Sequence, residues 1–134
     1  LGLVQFKRYD KLLARRKEII EKYDTAFENL PVTPLKHHTN RYSSCGHLYM
    51  LSLDNKDEAF RNNLIKKLAE FGVPSNVHYK PLPMLTAYKN LGFDISDFPN
   101  AYNSYKNEIT LPLHTLLTDE QVDFIVEKLK TCLS

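Results

Sequence analysis

The sequence predicts an α/β (α+β) domain in which a roughly three-stranded sheet packs with helices. A chain of 134 residues is long enough to bury roughly two thirds of its unfolded surface in one domain. Apolar residues recur at helical spacing in three long segments, and three short apolar runs are typical of strands. We expect one unit, with a long helix over about residues 1–28 and an α/β sandwich over about residues 46–134.

Composition excludes several classes of partner. The formal net charge of +2 is too small for a nucleic-acid-binding surface, which needs a concentrated basic face. The sequence shows neither an apolar run of membrane-spanning length nor a charged-then-apolar leader. Cys45 and Cys132 lie far apart and are expected to be free thiols in a reducing cytoplasm. We therefore predict a cytoplasmic protein without nucleic-acid or membrane partners.

The first element is a long helix over residues 1–28. One apolar stripe is predicted to face the core and consists of Phe6, Tyr9, Leu12, Leu13, Ile20, Tyr23 and Phe27. Acidic and basic residues are mixed on the other faces, which indicates a solvated surface with ion pairs rather than a nucleic-acid patch. Residues 1–4 are apolar and lack a capping side chain, so we expect the helix to start upstream and the chain to be a fragment.

Residues 29–46 are predicted to be a connection, because Pro31 and Pro34 precede a polar run. Three residues of this segment and His47 just after it have the side chains of zinc ligands, and the three are His37, His38 and Cys45. Their spacing matches no zinc module, so a metal site is not expected. Cys45 and His47 are also not expected to form a catalytic pair, since side chains two apart on a strand share a face without being held in hydrogen-bond contact.

A strand, a helix and a second strand form the centre of the predicted fold, over residues 47–53, 57–71 and 73–79. The first strand is almost continuously apolar, as in a sheet covered on both faces. Asp57 is placed to cap the helix and Gly72 to end it. The buried stripe of this helix is predicted to be Phe60, Leu64, Ile65, Leu68 and Phe71.

The rest of the chain is predicted to contain two short helices, a third strand and a final helix. The short helices span residues 85–92 and 100–107 and flank a loop with aromatic anchors. The third strand spans residues 108–114, where Pro112 marks an edge position or a strand end. Thr118 begins a capping signal for the last helix, whose apolar face is Val122, Ile125, Val126 and Leu129.

The candidate binding site is the end of the second predicted strand. Side chains alternate along a strand, so Val77 can face the core while His78 faces the other way. Pro81 and Pro83 supply no backbone N–H, so the segment must leave the sheet as a stiff arm. Polar groups on such an arm are typical of ligand contacts. These residues equally allow that His78 and Tyr79 only close the sheet edge.

No complete catalytic set emerges from the spacing of the residues. The sequence contains no glycine-rich phosphate loop, no His-Glu-x-x-His pair and no Gly-x-Ser-x-Gly elbow. His114, near Pro112 at a strand end, is a second candidate for a ligand contact, although a surface-loop position is the simpler interpretation.

Five blocks of sequence follow one another in the order and at the intervals of a known family. They are LGLVQFKRYD at residues 1–10, RRKEII at 15–20, HLY at 47–49, GVPSNVHYKPL at 72–82, and LPLH with LTDEQV at 111–122. On these blocks the chain resembles the C-terminal part of the DegT/StrS family of pyridoxal-phosphate-dependent nucleotide-sugar aminotransferases. The resemblance implies the small domain of the type I (aspartate aminotransferase-like) fold, which follows a large cofactor-binding domain.

The reaction implied by the resemblance moves an amino group from an amino acid, usually glutamate, to a nucleotide-linked keto sugar. A 4-keto-6-deoxyhexose is the commonest such substrate, used for surface polysaccharides and amino sugars. Pyridoxal 5'-phosphate would be bound by the large domain, upstream of Leu1, so no catalytic and no cofactor-binding residue is expected in this chain, which alone should be inactive. The resemblance also implies a homodimer for the complete enzyme.

The resemblance assigns a substrate-binding role to His78 and Tyr79, which match a His-Tyr pair of the family. Lys80 adds charge attraction for a diphosphate. Many members have a second histidine where this chain has Pro83, which leaves the sugar contact itself open. The alternative is a self-standing α/β module that binds a small anionic ligand or a partner protein through the same arm, without catalysis.

Overall fold

The computed structural model describes residues 2–133, with six helices and three strands in that range. In chain order these are α1 (Gly2–Phe6), α2 (Tyr9–Phe27), β1 (Val32–Pro34), β2 (Tyr49–Leu53), α3 (Glu58–Glu70), α4 (Thr86–Lys89), α5 (Pro99–Lys106), β3 (Glu108–Leu111) and α6 (Asp119–Leu133). Single 3₁₀ turns at Leu82–Met84 and Ile95–Asp97 flank α4. None of the helices in residues 2–133 combines the length and the apolar character that crossing a membrane requires.

The three strands form an antiparallel sheet in the order β1-β2-β3. In the central strand β2, Leu51 lies opposite Pro34 of β1 and Ile109 of β3. Alternate residues of β2 are buried, whereas every residue of β3 is buried. The predicted number of strands is therefore confirmed. The sheet includes residues before position 46, because β1 belongs to it.

The strand predicted over residues 73–79 is wrong. Only Asn76 pairs with the sheet, through an isolated antiparallel bridge to Thr110. Pro74 has no N–H to donate, and after Asn76 the N–H groups of Val77 and His78 bond to side chains instead of a ladder. Val77 donates to the side chain of Asn76 at 2.8 Å, and His78 donates to a carboxylate of β3 at 2.9 Å. The sheet nevertheless has three strands, because β1 forms within the segment predicted to be a connection.

The long N-terminal helix is interrupted between α1 and α2, at residues 7–8. The later part of its apolar stripe is buried, as Ile20, Tyr23 and Phe27 show. Phe6 and Tyr9 were predicted to face the core, and this is wrong, because their exposed fractions are 77% and 44%. An apolar stripe is buried only where another element covers it, and no residue of α1 is buried.

The capping signals of α3 are confirmed, whereas Phe71 was predicted to be buried and is 44% exposed, and the short helix predicted over residues 85–92 spans only Thr86–Lys89. The side chain of Asp57 accepts a hydrogen bond from the N–H of Phe60 at 2.8 Å and caps α3. Gly72, with φ of +76°, follows the end of the same helix. Helix α6 packs against both α2 and α3. Arg15 of α2 reaches across to Asp119 at 2.8 Å, which fixes the start of α6.

Candidate functional site

The three predicted contact residues lie together on the irregular segment that follows Asn76. His78 is half-buried, whereas Tyr79 is 72% exposed and Lys80 is exposed. The two rings are perpendicular, with centroids 4.7 Å apart, and the peptide bond between them is cis. Lys80 is followed by Pro81 and then by the 3₁₀ turn Leu82–Met84, so the predicted extended arm is short.

His78 is anchored to strand β3 at two points. Its backbone N–H donates to Glu108 Oε2 at 2.9 Å, and its Nδ1 lies 3.0 Å from Thr110 Oγ1. Thr110 Oγ1 in turn donates to Glu108 Oε1 at 2.6 Å. The bridge between Asn76 and Thr110 holds the backbone just before His78, with N–O distances of 3.1 and 2.8 Å. The imidazole is therefore fixed in place, while Tyr79 and Lys80 beside it face solvent.

Glu108 is a buried carboxyl group, with an exposed fraction of 5%. Burial raises the pKa of Glu108, because the ionised form is poorly solvated there. The hydrogen bonds from Thr110 and from the N–H of His78 act in the opposite direction, as do the nearby charges of His78 and Arg61. This carboxyl group therefore sits directly behind the predicted contact residues, held by two donors.

A second layer behind Glu108 is built around Arg61 of α3, which is 1% exposed. Its Nη1 donates to the backbone carbonyl oxygens of Tyr105 and Glu108 at 3.2 and 3.3 Å. Its guanidinium also lies 4.7 Å from the centroid of the Tyr105 ring, and the Tyr105 hydroxyl donates to Glu58 at 3.0 Å. Arg61 thereby joins α3, α5 and the start of β3, the strand on which His78 rests.

Sequence reasoning missed Glu108, Thr110 and Arg61. A signal for the first two existed, because polar residues at 108 and 110 alternate with apolar Ile109 and Leu111, which places both polar side chains on one face of β3. Arg61 carried no such signal, since it reads as one more charged residue on a helix surface.

His114, the second candidate, does not join this group. It lines a separate groove of about 330 Å³ between the segment after α3 and helix α6, together with Pro74, Gln121 and Phe124. None of the three predicted contact residues lines that groove. The structure therefore does not bring His114 together with His78.

The two histidines of the 29–46 segment are held by contacts with neighbouring side chains. His37 is buried, its ring stacks on Tyr49 with centroids 5.7 Å apart, and burial lowers the pKa of His37. His37 and His38 each place Nδ1 near a serine hydroxyl, at 3.2 and 2.9 Å. Cys45 is exposed and free. Within residues 2–133, no three side chains of metal-binding type converge on one point.

Comparison with known proteins gives matches over almost the whole chain. A model of the DegT/DnrJ/EryC1/StrS aminotransferase family matches residues 1–130. The spore coat polysaccharide biosynthesis protein SpsC of Bacillus subtilis is 38% identical over 97% of the chain. A UDP-4-amino-4,6-dideoxy-N-acetyl-beta-L-altrosamine transaminase of Helicobacter pylori is 34% identical over 98% of the chain.

Solved structures show the same fold. The Streptococcus pneumoniae protein Spr1654, named as a sugar aminotransferase, superposes in its apo form with a TM-score of 0.96 and 53% identity over 98% of the chain. Its PMP-form and PLP-form give the same score. The chain spans about a third of the length of these relatives, namely 34% of SpsC, 35% of the Helicobacter transaminase and 33% of Spr1654.

Proposed function

Since the chain belongs to the DegT/DnrJ/EryC1/StrS aminotransferase family, we propose that it is the C-terminal small domain of a pyridoxal-phosphate-dependent nucleotide-sugar aminotransferase. The resemblance and the α+β fold class predicted from the sequence are confirmed by the family match and by the superposition on Spr1654. The observation that carries the proposal is that a match over 98% of this chain spans only 33% of that protein.

The proposed reaction moves an amino group from an amino acid, glutamate by preference, to a keto group on a nucleotide-linked sugar. We propose a 4-keto-6-deoxyhexose as the sugar and surface polysaccharide or amino-sugar biosynthesis as its use. The names of two relatives support this, since one is a spore coat polysaccharide protein and the other a transaminase of a UDP-linked dideoxy sugar.

We propose that residues 2–133 do not form a cofactor site. Pyridoxal phosphate needs a lysine that forms a Schiff base and an acidic or basic partner for its pyridine nitrogen, and when bound it stabilises the electrons released during transamination. Lys22 is engaged by Asp119 and Asp123 at 3.6 and 3.3 Å, and Lys80 is exposed. We therefore assign the cofactor to a large domain outside this chain and expect the 134-residue chain alone to be inactive.

The contribution of this chain is recognition of the sugar nucleotide. His78 is held against Glu108 and Thr110, so it presents its ring to a ligand without first losing rotamer freedom. Tyr79 adds an exposed ring and a hydroxyl beside it. Lys80 supplies a positive charge on the same segment, which suits a diphosphate. We propose these three residues as the substrate-binding set of the chain.

We propose that the complete enzyme is a cytoplasmic homodimer. The free thiols of Cys45 and Cys132 are consistent with a reducing compartment. Sedimentation of the complete protein tests the assembly, because a monomer at working concentration would contradict it.

The test uses the complete protein that carries this chain, with pyridoxal phosphate and a panel of nucleotide-linked keto sugars. His78→Ala is expected to raise KM about 10-fold, the equivalent of one lost hydrogen bond of about 1.4 kcal/mol. Lys80→Ala is expected to raise KM most at low salt, because ionic screening already weakens its attraction at high salt. The matched control is Lys66→Ala, an exposed lysine on α3, for which no change is expected.

Two outcomes would contradict the proposal. Unchanged KM and kcat in both His78→Ala and Lys80→Ala would remove the binding role of this segment. Binding of sugar nucleotides by a complete protein that transaminates none of them would support the self-standing binding module instead.

A further inference from the structure

The hydroxyl of Thr110 lies between an imidazole and a buried carboxyl group. Its oxygen is 2.6 Å from Glu108 Oε1 and 3.0 Å from His78 Nδ1. A threonine hydroxyl has one proton, so Thr110 can donate to only one of these two neighbours. The other carboxylate oxygen, Oε2, accepts the backbone N–H of His78 at 2.9 Å. Glu108 therefore decides the direction of the whole chain of hydrogen bonds.

An ionised carboxylate accepts hydrogen bonds and donates none, and the two oxygens of Glu108 each face a donor. Thr110 then donates to Glu108, and its oxygen is left to accept a hydrogen bond from the N–H at Nδ1 of His78. In a neutral imidazole with the proton on Nδ1, Nε2 carries no proton and is an acceptor. Within residues 2–133 no hydrogen bond to His78 Nε2 is present, so this nitrogen is available to a ligand.

We propose that Glu108 is a positioning residue, which acts through Thr110 to hold His78 as the Nδ1–H tautomer and so makes Nε2 an acceptor for a ligand hydroxyl. The identity of that ligand rests on the proposed function, which the inference deepens. On this assignment His78 contacts a hydroxyl group of the sugar. The diphosphate oxygens require a donor, which Lys80 supplies.

The substitution Glu108→Gln separates this role from simple packing. The backbone N–H of His78 is a fixed donor, so it requires the amide oxygen of the new side chain opposite it. The amide NH₂ group then faces Thr110 and donates to its oxygen. Thr110 then has no acceptor on residue 108, so its proton turns toward His78 Nδ1, which favours the imidazole proton on Nε2. Glu108→Gln, which is nearly isosteric, is therefore expected to reverse the tautomer of His78. If Glu108 acted only by packing, the same substitution would leave the tautomer unchanged.

The experiment measures ring nitrogen shifts by ¹⁵N NMR in the complete protein labelled with ¹⁵N-histidine. It is made at alkaline pH, where imidazoles are neutral, and the signals of His78 are identified by their loss in His78→Asn. The wild type is expected to show a protonated Nδ1 and a bare Nε2. Glu108→Gln is expected to show the reverse pattern in the majority of molecules. A protonated Nε2 in the wild type, or an unchanged pattern in Glu108→Gln, would overturn the proposal.

If Glu108→Gln does not fold, a second pair of variants tests the same series of hydrogen bonds between Glu108, Thr110 and His78. Thr110→Ser keeps the hydroxyl and should keep the wild-type tautomer, while the isosteric Thr110→Val should lose the preference for Nδ1–H. Identical tautomers in the two variants would overturn the proposal. The spectra are recorded without substrate, so their outcome does not depend on the proposed function. The proposed function is tested separately, and it fails if His78→Ala leaves sugar-nucleotide affinity unchanged.

Discussion

The hydroxyl of Tyr23, on α2, donates a hydrogen bond of 2.9 Å to the backbone carbonyl oxygen of Pro112, just beyond β3. Tyr23 is fully buried, and its ring lies against those of Phe27 and Tyr49 with centroids 5.6 and 4.7 Å away. Burial raises the pKa of Tyr23, which keeps the phenol protonated and able to donate. The first long helix is thereby tied to the strand beneath the candidate site.

Tyr23→Phe removes this hydrogen bond without changing the shape of the core. We expect a loss of about 1 kcal/mol in the free energy of unfolding, the usual net value of one internal hydrogen bond. Urea denaturation of the parent and variant proteins measures it. Tyr42→Phe is the matched control, because the hydroxyl of Tyr42 also donates to a backbone carbonyl but its side chain is 53% exposed. An equal loss in the free energy of unfolding for both variants would show that burial does not strengthen the hydrogen bond of Tyr23.

The buried guanidinium of Arg61 predicts a larger effect on stability. Arg61→Ala should lower the free energy of unfolding by about 3 kcal/mol or more, because it opens a cavity and removes the side-chain donor shared by the carbonyl oxygens of Tyr105 and Glu108. Arg61→Lys should recover only part of this loss, since one ammonium group does not reproduce the planar fork.

The exposed residue Arg41 provides the comparison for Arg61. Arg41→Ala should change stability by no more than about 0.5 kcal/mol, as is usual for surface positions. Denaturation curves for the three variants decide the matter. Similar losses at positions 41 and 61 would show that the buried network contributes little.

Local signals in the sequence predicted the elements that depend on neighbouring residues. Helix α3 begins and ends where Asp57 and Gly72 indicated, because a cap and a positive-φ glycine act within one turn. The segment 73–79 is not a strand because the N–H groups of Val77 and His78 bond to side chains, one of them 30 residues away. A three-residue strand such as β1 has too short a pattern to be recognised without its partner.

The same distinction applies to the candidate site. His78, Tyr79 and Lys80 are candidates from the sequence alone because they precede two prolines at a predicted strand end and His78 and Tyr79 match a His-Tyr pair of the family. Glu108 and Thr110 were not, since their relation to His78 depends on the register between β3 and residue 76, and that register is set by tertiary packing.

A close approach between Gly46 and helix α2 gives the next prediction. Gly46 has φ of +62°, and a Cβ atom there would lie 2.9 Å from Ile20 Cδ1 and 3.2 Å from Arg16 Cβ. Gly46→Ala should therefore combine backbone strain with overpacking and cost about 2–4 kcal/mol. Gly92→Ala has the same kind of backbone, with φ of +88°, but nothing within 4 Å, and should cost only about 1 kcal/mol. Thermal or urea denaturation distinguishes them, and equal losses would exclude the steric contribution.

The buried carboxyl group of Glu108 predicts a specific dependence of stability on pH. Burial is the largest cause of its raised pKa, and it outweighs the hydrogen bonds from Thr110 and His78. A raised pKa in the folded state means that the folded protein binds this proton more tightly than the unfolded chain does. The resulting stabilisation is complete below the pKa of an unfolded glutamate, about 4.3, and is lost as pH rises through the folded-state pKa.

Glu108→Gln removes this titration, because a carboxamide does not ionise in the same range. The free energy of unfolding of the wild type minus that of Glu108→Gln should therefore fall as pH rises from about 4 and become constant above the folded-state pKa. Urea denaturation at a series of pH values measures the difference, in which the titrations common to both proteins cancel. A difference that grows with pH would mean that the hydrogen bonds from Thr110 and His78 lower the pKa of Glu108 by more than burial raises it.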